Sequence, residues 1–285
     1  MKTIRLSVVL AAALAASLPA LSQLSTPLPS PNATVSQTVG VTKIEVTYSR
    51  PSVRGRTIWG ELVPFDKIWR TGANAVTKIT FDGDVVIEGQ KLAAGAYGLY
   101  TLPGKTEWTV IFNTVSTGGP DYVAEKDALR VKVKPVPAEM KELFTISFPS
   151  VTSDSATLSL TWEKLRVPVS ITVDTKSRFL ANAKDAVAKA KADDWQTPFV
   201  AARYLYDNKY ALDDARVWID RSIALKGTFG NLSVKANALA AEGKTKDAVQ
   251  AAEKALAAGA AMAPDQRPSP EAVEALQKKI ADWKK

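Results

Sequence analysis

Between Tyr48 and Thr77 the chain concentrates the side chains best suited to hold a charged ligand. From Arg50 to Lys78, six basic residues (Arg50, Arg54, Arg56, Lys67, Arg70 and Lys78) stand against two acidic ones, Glu61 and Asp66. A guanidinium presents a planar fork of donors to carboxylate, sulfate or phosphate, and a neighbouring tryptophan adds a flat face for a sugar or aromatic ring. Arg50, Arg54, Arg56, Trp59, Trp69, Arg70 and Asn74 are therefore the candidate ligand-binding residues, for an anionic small molecule or a glycan. Each has a structural alternative. Trp59 and Trp69, like Trp108 and Trp162, are the kind of residue that fills a core. Asn74 and Asn113 suit turns, and Gly55, Gly72 and Gly95 suit tight backbone. Arg70 has the option of neutralising a carboxylate such as Glu163 or Asp154.

The residue types that are missing narrow the chemistry. With no histidine and no cysteine, the chain has no Ser-His-Asp or Cys-His pair, no zinc site of the usual ligands and no disulfide. Any catalysis would have to run on Asp, Glu, Lys, Arg, Tyr, Ser or Thr; a carboxylate-based hydrolase is the enzyme alternative, since glycosidases work with two carboxylates, and Glu61, Asp66, Glu107 and Glu163 are its candidates. Nothing in their spacing places two on one surface, so no catalytic residue is assigned. Asp82-Gly83-Asp84 lacks the later ligands of a calcium loop, and neither metal nor cofactor is expected.

The elements that must position these residues divide the chain in two. Up to Val173 apolar residues alternate: Ile44, Val46 and Tyr48; Thr77, Ile79 and Phe81; Val85 and Ile87; Trp108, Val110 and Phe112; Leu129, Val131 and Val133. Further strands follow around Phe144 to Phe148, Leu158 to Trp162 and Val167 to Val173. Period-two alternation marks strands, and Asp82-Gly83, Glu88-Gly89, Pro103-Gly104 and Gly118-Gly119-Pro120 supply turns between them. Short strands without intervening helices predict an antiparallel β-sandwich or barrel-like domain over 33–175. The connection from Arg50 to Val76 is too long and too rich in Trp, Ile and Leu to be slack.

After Asp174 the period changes to about 3.6, and the chain becomes Ala, Lys and Asp-rich amphipathic helix. Ala215, Ile219 and Ser222 are matched 33 residues later by Ala248, Ala252 and Ala255. Helical stretches precede each set, at Pro198–Asp207 and Leu232–Glu242, and Glu271–Trp283 follows as a cap. The spacing resembles the tetratricopeptide repeat, whose paired helices stack through small residues, although Arg203 stands where that family has a small residue. A plain helical-hairpin bundle is the alternative. The fold class expected is thus α+β in two parts, with an all-α region over 176–285 that offers a surface to a protein partner.

Met1 to Ser22 carries Lys2 and Arg5, an apolar run from Leu6 to Leu18 and the small residues Ala20 and Ser22, the layout of a signal peptide cleaved before Gln23. No cysteine follows the run, so a lipid anchor is not expected, and the mature chain is expected to have no membrane span and to be periplasmic or secreted. A Pro and Ser-rich leader, 23–32, would act as a spacer. Charge is unevenly placed: residues 23–175 hold 16 basic against 15 acidic side chains, and residues 176–285 hold 19 against 14. There is no basic stripe with interleaved aromatics, so nucleic acid is not an expected partner.

Several motifs occur in order: Tyr48-Ser-Arg-Pro51, Arg54-Gly-Arg56, Leu62-Val-Pro64, Trp69-Arg-Thr-Gly-Ala-Asn74 with Thr77, Gly95-Ala-Tyr97, Pro103-Gly104, Glu107 to Asn113 and Leu160-Thr-Trp-Glu163. Together they resemble the exported bacterial family known as domain of unknown function 2911, over about residues 30–173. The resemblance implies a β fold with a helical tail and a set of positions to inspect; it implies no activity.

Overall fold

The computed structural model describes residues 26–117 and 122–285. The leader peptide, its cleavage site and the Gly118-Gly119-Pro120 turn lie outside the described residues. The alternating segments become ten strands in two antiparallel sheets. β1 (Asn32–Val39), β2 (Thr42–Ser49), β3 (Thr77–Phe81), β6 (Gly95–Leu102), β7 (Trp108–Asn113) and β8 (Asp127–Val133) form one sheet in the order β1-β2-β3-β6-β7-β8. β4 (Val85–Ile87), β5 (Gln90–Leu92), β9 (Val136–Val151) and β10 (Ser155–Thr172) form the other, in the order β5-β4-β10-β9.

The inward faces of both sheets share one core: Ile44, Val46, Ile79, Phe81, Val110 and Phe112 from the first meet Ile87, Ile146, Leu158, Leu160 and Val169 from the second, all at 2% exposure or less. Each such side chain contributes about 1.5–3 kcal/mol of burial. The sheets do not close on each other, so the architecture is a sandwich and not a barrel. Glu88 (φ 47°) and Gly89 (φ 80°) both sit in left-handed backbone between β4 and β5, the two-residue hairpin that matches strand twist.

Two expectations need correction. The segments around Leu158–Trp162 and Val167–Val173 are one strand, β10, bent by register shifts at Thr161, Glu163 and Leu165, with Glu163 at φ 55°. β6 escapes an alternation test because Tyr97 through Thr101 are buried on both faces; sequence alternation reports a half-covered strand only.

Six helices follow: α1 (Thr175–Lys189), α2 (Gln196–Asp207), α3 (Leu212–Leu225), α4 (Phe229–Ala241), α5 (Thr245–Ala260) and α6 (Pro270–Trp283). Their starts are set by caps. Asp174 accepts from the Ser177 N–H (3.0 Å), Thr228 and Asn231 make a reciprocal capping box, and Ser269 precedes Pro270 at the first helical position. α2 packs on α3, and α4 on α5. Ala215, Ile219 and Ser222 in α3, and Ala248, Ala252 and Ala255 in α5, are all at 1% exposure or less, the close approach their small size permits. Ser222 Oγ donates to Trp195 O (2.8 Å) and receives the Asn231 amide (2.9 Å), tying α2, α3 and α4 together.

Candidate functional site

The Arg and Trp-rich connection is built into the sandwich. At its start, Val53 N–H donates to Glu142 O (2.8 Å) and Pro51 O accepts from Phe144 N–H (2.9 Å), joining it to β9. At its end, Trp69 and Thr101 exchange backbone bonds of 2.8 and 2.9 Å, joining it to β6. The segment therefore runs from one sheet to the other and covers an end of the core between them. Ile58 (1% exposed) and Val63 (3%) go inward. Trp59 stands edge-on to Trp69, Trp108 and Trp162 at 5.9, 4.9 and 5.9 Å, and Trp69 stacks on Trp162 at 5.8 Å. Phe144 and Tyr48 extend the cluster. Edge-to-face packing of this kind adds about 0.5–1.5 kcal/mol per pair beyond burial.

The candidate cations divide by what they hold. Arg50 Nε donates to Phe144 O (2.9 Å) and its Nη2 to Thr145 Oγ1 (2.8 Å). Arg56 grips its own turn through Val53 O (3.0 Å) and Ser52 O (2.6 Å). Arg54, exposed and at φ 50°, reaches Pro29 O at 3.3 Å, and Asn74, at φ 57°, donates to Ser30 O (3.0 Å) and Ser49 Oγ (3.2 Å). Arg54, Asn74 and the Arg50 N–H thus converge on residues 29–31, so that part of the proposed spacer is tethered to the domain. Irregular segments lack ladder partners for their carbonyls, and these donors supply them.

Arg70 is different. It makes none of the pairings with Glu163 or Asp154 that its position suggested: Glu163 accepts from Lys164 N–H (2.7 Å) and Asp154 from Thr152 Oγ1 (3.0 Å). Arg70 is half-buried, and its Nε is buried without a hydrogen-bond partner among the described residues. Of the candidate acids, Glu107 is ion-paired with Lys132 at 2.8 Å, Glu61 lies exposed in the turn after Trp59, and Asp66, also exposed, donates its backbone N–H to Pro103 O at 2.8 Å.

A second polar site, over β7 and β8, was not visible in the sequence. Tyr122 donates to Asp127 Oδ2 (2.5 Å) and accepts from Arg130 Nη2, while Arg130 Nε (2.7 Å) and Asn113 Nδ2 (2.7 Å) also bind the Asp127 carboxylate. The Asn113 Oδ1 takes the Val115 N–H (2.9 Å). Burial and the hydrogen bond to Asp127 push the Tyr122 phenol up to about 12. Tyr122 also packs edge-on to Tyr100 (5.1 Å), which is why the outer face of β6 is covered. The available signal was the spacing of Tyr122, Asp127 and Arg130, which is too common to single out.

Concave surface lies between the helices. A cleft of about 670 Å³ is lined by Trp195, Phe199, Phe229, Met262 and Pro268, with Lys226 Nζ 5.6 Å from the centre of the Trp195 ring. Another of about 520 Å³, between α1 and α2, includes Phe179, Ala183 and the exposed Val200. Among the described residues no helix is long and apolar enough to cross a membrane.

The fold and these sites define an α+β protein: a β-sandwich closed at one end by an aromatic, arginine-braced connection and continued by paired helices that carry clefts. Residues 30–171 match the model of the family described as Protein of unknown function (DUF2911). That match supports the family the motifs pointed to, and it ends within β10, one residue short of the strand's last, Thr172. No curated protein and no solved structure matches the chain.

Proposed function

We propose that this is a non-catalytic binding and scaffolding protein, periplasmic or secreted, in which helices stacked as tetratricopeptide-like pairs take an extended segment of another protein. The observation that carries the reading is the cleft at Trp195, Phe199 and Phe229: mainly apolar, with a few polar groups to orient an occupant, it has the make-up of a recognition site. Lys226 is the charged side chain in that lining, and the helical part carries the chain's positive excess, so an acidic residue beside an aromatic or proline suits it. The export assignment rests on residues 1–22 alone.

Thermal unfolding of the protein against synthetic peptides that combine Asp or Glu with Trp, Phe or Pro tests this. A bound peptide at about one hundred times its Kd adds about 2.7 kcal/mol, and Phe199→Ala and Lys226→Ala should each remove most of that shift. Equal shifts in wild type and both variants, or none with any peptide, would overturn the cleft as the site. A second reading rests on Arg70, whose unspent Nε favours an anionic small molecule or glycan at the Trp-rich connection. Sulfate, sugar phosphates and uronic acids are the probes, and a shift that Arg70→Ala abolishes is the expected outcome.

A further inference from the structure

Four strands end the two sheets: β1 and β8 in one, β5 and β9 in the other. An edge strand shows a row of unpaired N–H and C=O groups, and proteins blunt such edges with charge, proline, bulges or shortness. Three of the four edges here are blunted. β8 carries the exposed Arg130 and Lys132; β9 carries Pro137, Lys141 and Pro149 and is broken by register shifts; β5 has three residues, one of them Lys91. β1 has none of these devices. Its eight residues pair with β2 without a register shift, and from Gln23 to Thr42 the sequence holds no charged side chain, in a chain that is 23% charged.

The direction of its free groups follows from the ladder. Arg50 N–H donates to Pro31 O, so that pair is hydrogen-bonded, and by the two-residue period Ala33, Val35, Gln37 and Val39 are the residues that exchange bonds with β2. Asn32, Thr34, Ser36 and Thr38 therefore turn their N–H and C=O groups away from β2, and all four are exposed. Among the described residues no strand pairs on that side. The Thr38 carbonyl is met only by the side-chain amide of Gln37, at 2.8 Å.

We infer that this edge is a homodimer interface, with β1 of one protomer pairing antiparallel to β1 of its partner about a two-fold axis. A symmetric register places Thr34 opposite Ser36 and Asn32 opposite Thr38, so that every outward donor of these residues meets an outward acceptor. It also sets Val35 against its own copy on the half-buried face, where Val35 already packs on the core. A two-fold axis at Val35 sets any charge in the middle of the strand close to its own copy, and a strand without charge escapes that repulsion. The uncharged strand, with Thr34 set opposite Ser36 and Val35 opposite its own copy, is why a second copy of this chain is the occupant proposed.

The chain has no cysteine, so a single engineered one reports the register. In the new ladder Val35 falls at a non-hydrogen-bonded pair, where Cα atoms stand about 4.5 Å apart, inside the span of about 4.4–6.8 Å that a disulfide needs. Val35→Cys should give a disulfide-linked dimer under mild oxidation, and Lys105→Cys, in the exposed β6–β7 turn, should not. Ser36→Pro removes one outward N–H and leaves the bonds to β2 intact, since an edge strand accepts proline on its open side. In sedimentation velocity it should weaken the dimer at least tenfold with unchanged secondary structure. A wild-type monomer at every concentration, or a dimer that Ser36→Pro leaves intact and Val35→Cys does not cross-link, overturns the proposal.

Discussion

Arg178, in the first turn of α1, donates through Nη2 to both the carbonyl (2.8 Å) and the carboxylate (3.0 Å) of Asp82, in the turn after β3. Next to this contact Thr175 Oγ1 donates to Ser153 O (2.8 Å), so the first helical turn is seated on two turns of the sandwich. Both seats depend on missing side chains: a Cβ on Gly40 would stand 1.9 Å from Thr175 Oγ1, and one on Gly83 would stand 1.1 Å from Arg178 Nη1.

This joint should loosen without unfolding. The Arg178–Asp82 pair is partly exposed, at 26% and 51%, so Arg178→Ala should cost less than about 1 kcal/mol. Limited proteolysis around residues 173–176 should nonetheless quicken. Gly40→Ala, at φ 57°, should destabilise more, because Thr175 cannot swing away without leaving Ser153. Equal proteolysis rates for wild type and Arg178→Ala would show that the seat does not depend on the guanidinium.

The aromatic cluster under the long connection is a stability element. Trp162, at 1% exposure and in contact with Trp59, Trp69 and Phe144, should cost about 3–5 kcal/mol when changed to Ala. Arg56→Ala, which frees two carbonyls of an exposed turn, should cost about 1 kcal/mol. Urea unfolding followed by tryptophan fluorescence measures both, and a mild Trp162→Ala would mean the connection is not packed as described.

Gly89 isolates the cost of left-handed backbone. At φ 80°, and with no atom within 4 Å of the place a Cβ would take, Gly89→Ala meets no clash, so its effect is conformational alone, about 1–2 kcal/mol. Gly243, at φ 77° and equally open, should behave alike. Chemical denaturation of the two variants compares them, and a stabilised Gly89→Ala would contradict the hairpin geometry.

Tyr122 should make stability fall at high pH. Its phenol is raised from 10.0 to about 12 in the folded protein, so the folded state holds a proton that the unfolded chain releases. Its contribution is therefore complete below about pH 10 and is lost as pH rises toward 12. Tyr122→Phe should flatten the stability profile over that interval and remove one late-titrating phenolate in ultraviolet absorbance. An unchanged profile would mean that Asp127 does not hold the hydroxyl.

Local pattern alone determined a good deal of this protein. Alternation at Ile79 and Phe81 or at Leu129, Val131 and Val133 required half-covered strands, and the 3.6-residue period after Asp174 required amphipathic helices, because periodicity reports which face of an element is dry. Pattern could not say which donor meets which acceptor. Arg50, Arg56 and Arg70 are equivalent in sequence, yet two guanidiniums end on backbone carbonyls and the third keeps an unpaired Nε, since that outcome depends on where an irregular segment leaves carbonyls without a ladder. The same holds for Asp127, which gathers Asn113, Tyr122 and Arg130 only once β7 and β8 are side by side, and for β1, whose bare edge exists only because the tertiary fold placed it outermost. Burial follows residue type and period, whereas pairing is long-range, and only the folded chain decides it.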